Sequence, residues 1–313
     1  MIISASRRTD IPAYYSEWFF NRLKEGYVCV RNPMNIHQIS RISLRPDVVD
    51  GIVFWTKNPL PMLDRLDELK EYTYYFQFTI TAYGNDVEKN LPSKKEVIIP
   101  AFQKLSKMLG SERVIWRYDP IFLSEKYSVE CHKKTFEYIA RRLQGYTKKC
   151  VISFLDLYRN TRNNTKSLGL LPLEPKEMKE IAEQLSAIAK KYGIILESCS
   201  EEIDLEEYGV QHGHCIDNSL FEQLLGCKLT TDKDKNQRKE CGCFSSIDIG
   251  MYNTCKNYCV YCYANYSQTT VTKNFNLHNP GSPLLSGEIL PEDKVNDRKV
   301  SSCRECQLSM FDI

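Results

Sequence analysis

Short apolar runs rich in β-branched and aromatic residues recur along the first two hundred residues. They are IISAS (2–6), YVCVR (27–31), GIVFWT (51–56), YYFQFTITA (74–82), RVIWRY (113–118), CVISFLDL (150–157) and GIILESC (193–199). Each reads as a buried strand. Between them the apolar positions shift to helical spacing. SEWFFNRLKEG follows the first run and PLPMLDRLDELKEY the third. SKKEVIIPAFQKLSKMLG opens with Ser93 and Glu96 spaced as a capping box and stops at Gly110. SVECHKKTFEYIARRLQG and EPKEMKEIAEQLSAIAKKYG have the same form, each closed by glycine. Strands alternating with helices predict βαβ units, a parallel sheet and right-handed crossovers. Seven such strands over residues 1–203 suit an α/β fold of the (βα) barrel kind.

In a (βα) barrel the chemistry sits on the loops that follow the strands. Polar residues collect at those positions: Ser6, Arg7, Arg8, Thr9 and Asp10 after the first run, Lys57 and Asn58 after the third. Arg117 and Asp119 follow the fifth, Tyr158 and Arg159 the sixth, and Glu197, Cys199 and Glu201 the seventh. Their shared face predicts a polar pocket, with Arg117, Asp119 and Glu197 as catalytic candidates. Ordinary solvated loop ends are the competing reading for each of them.

Beyond residue 203 the pattern changes. Residues 204–243 read as a linker with one short helix, NSLFEQLLG (218–226), and a lysine-rich stretch. Residues 244–266 hold a strand-like run, SSIDIGMYN (245–253), and then TCKNYCVYCYAN. Residues 267–313 read as a polar, loop-rich tail with NPGSP at 279–283. There is no internal repeat.

The bulk numbers narrow the setting without naming a function. The chain has 313 residues, 42% hydrophobic and 26% charged, with a formal net charge of only +2. That balance demands neither a nucleic acid nor a membrane surface. No run approaches the eighteen or so apolar residues of a membrane span. The start of the chain does not look like a secretion signal, so a cytoplasmic protein is expected.

Cysteine changes the picture. There are 13, and ten of them fall between Cys199 and Cys306. In a reducing compartment such a concentration reads as metal ligands rather than disulfides. Cys255, Cys259 and Cys262 are spaced Cys-x3-Cys-x2-Cys, with Tyr261 before the third. Three thiolates on one short loop can each take a different iron of a cubane cluster and leave the fourth iron open. Zinc is the competing metal, although its ligands usually come as two Cys-x2-Cys pairs. Cys199, Cys215, Cys241 and Cys243 form a candidate second site, either a [4Fe–4S] cluster that relays electrons or holds substrate, or a structural zinc. His212 and His214 flank Cys215 and are further possible ligands. Cys303 and Cys306 make a lone Cys-x2-Cys, readable as a zinc half-site or as surface thiols. Cys29, Cys131 and Cys150 read as packing residues.

CKNYCVYCYA resembles the cluster loop of the radical S-adenosylmethionine (SAM) superfamily. SRRTDIP, FWTKNP, WRYDPI, ESCSEE and DIGMYNTCKNYCVYCYAN together resemble an uncharacterised bacterial domain-of-unknown-function family, whose C-terminal cysteines are similar to that loop. WRYDPI and FWTKNP are also similar, more distantly, to barrel segments of spore photoproduct lyase. The superfamily resemblance implies a [4Fe–4S] cluster on Cys255, Cys259 and Cys262 that binds SAM. Its reduction would yield a 5′-deoxyadenosyl radical that acts on an unknown substrate, with Tyr261 near the adenine. A low-potential reducing partner such as flavodoxin or ferredoxin is implied too. No Gly-Gly-Glu segment follows a strand, so Ser6, Arg7, Thr9 and Arg117 are the candidate SAM contacts. In the superfamily the cluster loop follows the first strand, which predicts here a circularly permuted barrel with its first strand written last. Alternatives are a nucleic-acid lesion lyase of the spore photoproduct type, or a non-catalytic iron–sulfur or zinc protein. Finally, QLSMFDI resembles, at 307–311, the short peptide that replication proteins dock into the sliding clamp.

Overall fold

The computed structural model describes residues 1–305. Cys306 and the clamp-like peptide at 307–311 lie outside the described residues.

Eleven strands are present among them: β1 (Ile2–Ala5), β2 (Tyr27–Asn32), β3 (Asn35–Ser43), β4 (Gly51–Thr56), β5 (Tyr74–Thr79), β6 (Val114–Ile121), β7 (Lys149–Phe154), β8 (Ile195–Ser198), β9 (Gln211–His212), β10 (Ile247–Asp248) and β11 (Lys294–Asp297). Eight form one sheet in the order β10-β1-β4-β5-β6-β7-β8-β9, and every pairing in it is parallel. The strands read as continuous apolar runs because both faces of this sheet are covered. Ile52, Phe54, Phe76, Trp116 and Ile152 point to one face and pack against the helices Ser16–Glu25, Ile99–Leu109, Val129–Leu143 and Pro175–Lys191. Ile2, Val53, Tyr75, Ile115 and Val151 point to the other, where Leu220 and Phe221 of the helix Asn218–Leu225 lie among Cys199, Cys215, Cys241 and Cys243.

This overturns the barrel. The sheet is open: β9 and β10, its two ends, have two residues each and do not pair with each other. A barrel needs its last strand bonded to its first all round. Here the chain between the two ends, 213–246, folds against the sheet instead of closing it. A circularly permuted barrel falls with it. The strand that carries the cysteine loop does lie beside β1, with Ile247 opposite Ile3 and Asp248 opposite Ser4.

Other expectations need correction. YVCVR is β2, but it belongs to a separate three-stranded sheet, β11-β3-β2, antiparallel to β3. The 59–72 helix breaks into Leu60–Leu63 and a 3₁₀ turn at Leu66–Leu69. The 93–110 helix begins as a π turn over Lys94–Ile98, capped by Ser93. Pro100 has no N–H for the regular bond and its ring crowds the Glu96 carbonyl, which favours the wider turn there. The tail is more ordered than its polarity suggests. Its helix Gln268–Asn276 is followed by a loop whose Ser282 carbonyl accepts from Trp18 Nε1 at 2.9 Å and whose Gly281 carbonyl accepts from Arg22 at 3.0 Å.

Candidate metal sites and their shared cavity

The cysteine loop leaves β10 at its C-terminal end. Asp248 fixes that end by accepting hydrogen bonds from Ser4 Oγ (2.7 Å), Ser6 Oγ (2.7 Å) and the backbone N–H of Arg7 (2.8 Å) and Gly250 (2.9 Å). The rest of the loop is held by distant parts of the chain. Tyr15 donates to the Thr254 carbonyl at 2.6 Å, Tyr14 to Asn257 Oδ1 at 2.8 Å, and Asn90 to the Lys256 carbonyl at 2.9 Å. Asn257 in turn donates to Asp10, a buried carboxylate that also accepts from Thr56 Oγ1 and the Lys57 N–H. Burial raises the Asp10 carboxyl even against those hydrogen bonds. A bridge between Glu88 and Cys259 ties the loop to the segment after β5.

Glu88 is the polar centre of that tie. It accepts from Lys57 Nζ at 2.7 Å, from Thr81 Oγ1 at 3.0 Å and from the Tyr261 hydroxyl, and Lys94 Nζ lies 2.5 Å from its other oxygen. Burial pushes its carboxyl up, but Lys57 and Lys94 outweigh burial and bring it to about 2. The loop thiols have the opposite fate. Burial raises all three, Cys259 to about 12 even with Lys57 nearby. Buried thiols of this kind keep their protons until a cation displaces them.

The second group is assembled from three stretches of chain. Cys199 directly follows β8, Cys215 follows β9, and Cys241 and Cys243 precede β10. The sulfurs of Cys199, Cys215 and Cys243 all lie within 4.8 Å of one another, and Cys215 Sγ is 2.8 Å from Cys199 Sγ. Cys241 lies beside them, two residues before Cys243 and on the same cavity wall. Gly242 allows the close approach: a Cβ there would stand 2.1 Å from His214 Nδ1. The backbone N–H groups of Cys215 and Ile216 donate to Cys243 Sγ at 3.2 and 3.4 Å. Arg117, only 7% exposed, donates from Nη1 to Cys215 Sγ at 2.7 Å and pairs with Asp119 Oδ2 at 2.5 Å through Nη2. Hydrogen bonds from Cys199 and Cys215 lower the Cys243 thiol to about 6, while the Cys199 thiol is pushed well up by its sulfur neighbours. Sulfurs this close titrate as a set.

Both cysteine groups line one cavity of about 580 Å³, together with Ser6, Arg7, Thr9, Lys57, Arg117, Asp119 and Tyr261. Of the candidate site residues, therefore, Ser6, Arg7, Thr9, Arg117 and Asp119 are brought together with all seven cysteines. Arg7 Nη2 and Thr9 Oγ1 are buried there without a partner. Tyr261 spends its hydroxyl on Glu88 and packs against Tyr83. Glu197 is not part of the cavity wall; it pairs with Lys149 at 2.9 Å. His212 is exposed and His214 half-buried beside Gly242. Cys29 and Cys150 are core residues and Cys131 is half-buried.

Sequence reasoning missed Asp248, Glu88 and Arg238, which lines the cavity and pairs with Asp156. The first stood in a quoted segment, DIGMYN, before the loop. Nothing marked the other two, since their partners are distant in the chain.

Both donor sets suit metals, in different ways. Three sulfurs within 4.8 Å of one another form a compact soft-ligand site, and Cys241 lies on the same wall as a candidate fourth ligand. The loop sulfurs form no such compact group, which three thiolates binding three separate irons do not need.

The chain belongs to a protein family described as a domain of unknown function (DUF1848), whose model matches residues 2–264. No curated protein matches it. Among solved structures, a provisionally assigned alpha-L-fucosidase from Bacteroides thetaiotaomicron aligns over 71% of this chain and 84% of its own. The identity is 11% and the TM-score 0.25, so that likeness carries no argument.

Proposed function

We propose that this DUF1848 protein is a radical SAM enzyme. The loop cysteines Cys255, Cys259 and Cys262 would hold a [4Fe–4S] cluster, and Cys199, Cys215, Cys241 and Cys243 a second one. The observation that carries the reading is the cavity: three loop thiols with the radical SAM spacing line a space of about 580 Å³ beside β1, shared with Arg7, Arg117 and Asp119. When bound there, a three-cysteine cluster supplies an open iron for SAM and the electron that cleaves it.

The residues of this chain prepare the space. Asp10, Asn257 and Glu88 fix the loop, and Lys57 places a cation between Glu88 and Cys259. The Thr9 hydroxyl, buried without a partner, is a donor for a carboxylate such as that of SAM. The depth of the site limits water around a reactive intermediate.

For the second site, zinc is the rival metal. Iron–sulfur is favoured because Arg7 Nη2 lies buried and unpaired beside Cys215 and Cys243. A cluster brings its own sulfides as acceptors, which a zinc ion lacks.

Anaerobic reconstitution should give a brown protein with about eight iron atoms per chain, or about four if only the loop is filled. SAM and dithionite should then release 5′-deoxyadenosine, and Cys259→Ala should abolish that release. A colourless protein with stoichiometric zinc and no iron would sink the proposal.

A further inference from the structure

The four-cysteine site is surrounded by positive charge that a purely structural clasp does not need. Arg117 is buried at β6 and its guanidinium is oriented on both sides. Nε and Nη2 donate to Asp119 Oδ2 at 3.2 and 2.5 Å, which aims Nη1 at Cys215 Sγ, 2.7 Å away. Asp119 is itself held by the Ser153 hydroxyl. Arg7 approaches the same sulfurs from the loop after β1, its guanidinium 5.4 Å above the Trp55 ring. Its nearest carboxylate, Asp234, is 3.8 Å away. Two backbone N–H groups also point at Cys243 Sγ.

We infer that Arg117 and Arg7 set the electron affinity of this site and make it an electron-accepting station on the cavity wall. The inference rests on the iron–sulfur reading above. Adding one electron to a four-thiolate cluster makes and breaks no bond; it adds one negative charge in a region of low dielectric. Guanidinium groups and N–H donors at the sulfurs stabilise that extra charge more than the oxidised state, which raises the potential. Arg117 and Arg7 are thus positioning residues for the metal site.

The test uses the full chain carrying Cys255→Ala, Cys259→Ala and Cys262→Ala, reconstituted anaerobically so that only the second site is filled. Iron, sulfide and zinc are measured first. Dithionite titration at controlled potential is then followed by visible absorbance and electron paramagnetic resonance. Arg117→Gln should lower the reduced-to-oxidised ratio at a fixed potential at least tenfold, which is about 59 mV for a one-electron couple. Arg7→Gln should act in the same direction, and Arg117→Lys should recover part of the loss. Iron-loaded protein in which Arg117→Gln and Arg7→Gln both leave the ratio unchanged overturns the inference while the cluster reading stands. Zinc without iron in the parent chain overturns both.

Discussion

Cys255, Cys259 and Cys262 sit on a loop whose position is secured without their sulfurs. Tyr14, Tyr15, Asn90 and Asp10 reach it from elsewhere in the fold, and Glu88 binds Tyr261 at its far end. Cys199, Cys215, Cys241 and Cys243 are built the other way. Their sulfurs join the 213–244 stretch to the end of β8, alongside hydrogen bonds from the Gly213 N–H to the Ser198 carbonyl and from Tyr75 and Gln77 to the Cys215 carbonyl. Two backbone N–H groups are satisfied by Cys243 alone. One site lies on a loop held by contacts that do not involve its sulfurs. The other is part of what gives the inner face of the sheet its cover. An open coordination position is compatible with the first construction; a closed, four-ligand centre suits the second.

The largest expected effect separates the two directly. In metal-loaded protein, Cys243→Ala should lower the unfolding free energy by about 5 kcal/mol, read by denaturant titration. It leaves two buried N–H groups unpaired and removes a metal whose binding counts toward folding. Cys255→Ala should cost about 1 kcal/mol or less, although the proposed SAM cleavage should be lost with it. Equal losses in the two variants would mean that the loop depends on its metal as much as the four-cysteine site does, and the contrast would fail.

The same contrast explains what could be read from the chain alone. The loop is local: its ligands occupy eight consecutive residues, and spacing carries the message. Strand positions were legible for the same reason, since a strand buried on both faces is a short apolar run whatever its partners are. Whether the two ends of the sheet meet was not legible. Closure depends on what lies between β9 and β10, and 204–243 reads as a linker because outside the short helix at 218–226 its apolar residues are few and spread out. β3 was hidden because NIHQISRIS is mostly polar and gains its order from pairing on both sides. The four-cysteine site stood between these cases. Its members were visible as cysteines, but the two arginines around it were tied to them only by the fold. Glu88 and Arg238 left no mark at all.

A second, smaller effect tests whether the loop is secured as described. Glu88→Ala leaves Lys57 and Lys94 in a buried setting without their carboxylate, which should cost about 3 kcal/mol. The pH dependence has a definite sign. The Glu88 carboxyl is lowered from its ordinary 4.5 to about 2, so its contribution is complete above pH 4.5 and is lost as pH falls through about 2. The variant should therefore lose stability less steeply than the parent between those values, as followed by tyrosine fluorescence. A variant as stable and as acid-sensitive as the parent would show that the sulfurs, and not Glu88, hold the loop.

The smallest effect concerns a residue that the sequence placed beside the chemistry. Glu197 precedes the second cysteine site by two positions, yet it turns away from the cavity to Lys149, which has a second carboxylate in Asp217 at 3.1 Å. Glu197→Gln keeps the shape of the side chain against Gly213, where even a Cβ would lie 2.6 Å from the present carboxylate oxygen. Because Lys149 is partly exposed and retains Asp217, the change should cost under about 1 kcal/mol. Iron content at the four-cysteine site and the rate of 5′-deoxyadenosine release should both stay within about twofold of the parent, equivalent to well under 1 kcal/mol in the barrier. A tenfold loss of cleavage with iron intact would return Glu197 to the catalytic machinery and extend the functional region across β8 to the face that Lys149 occupies.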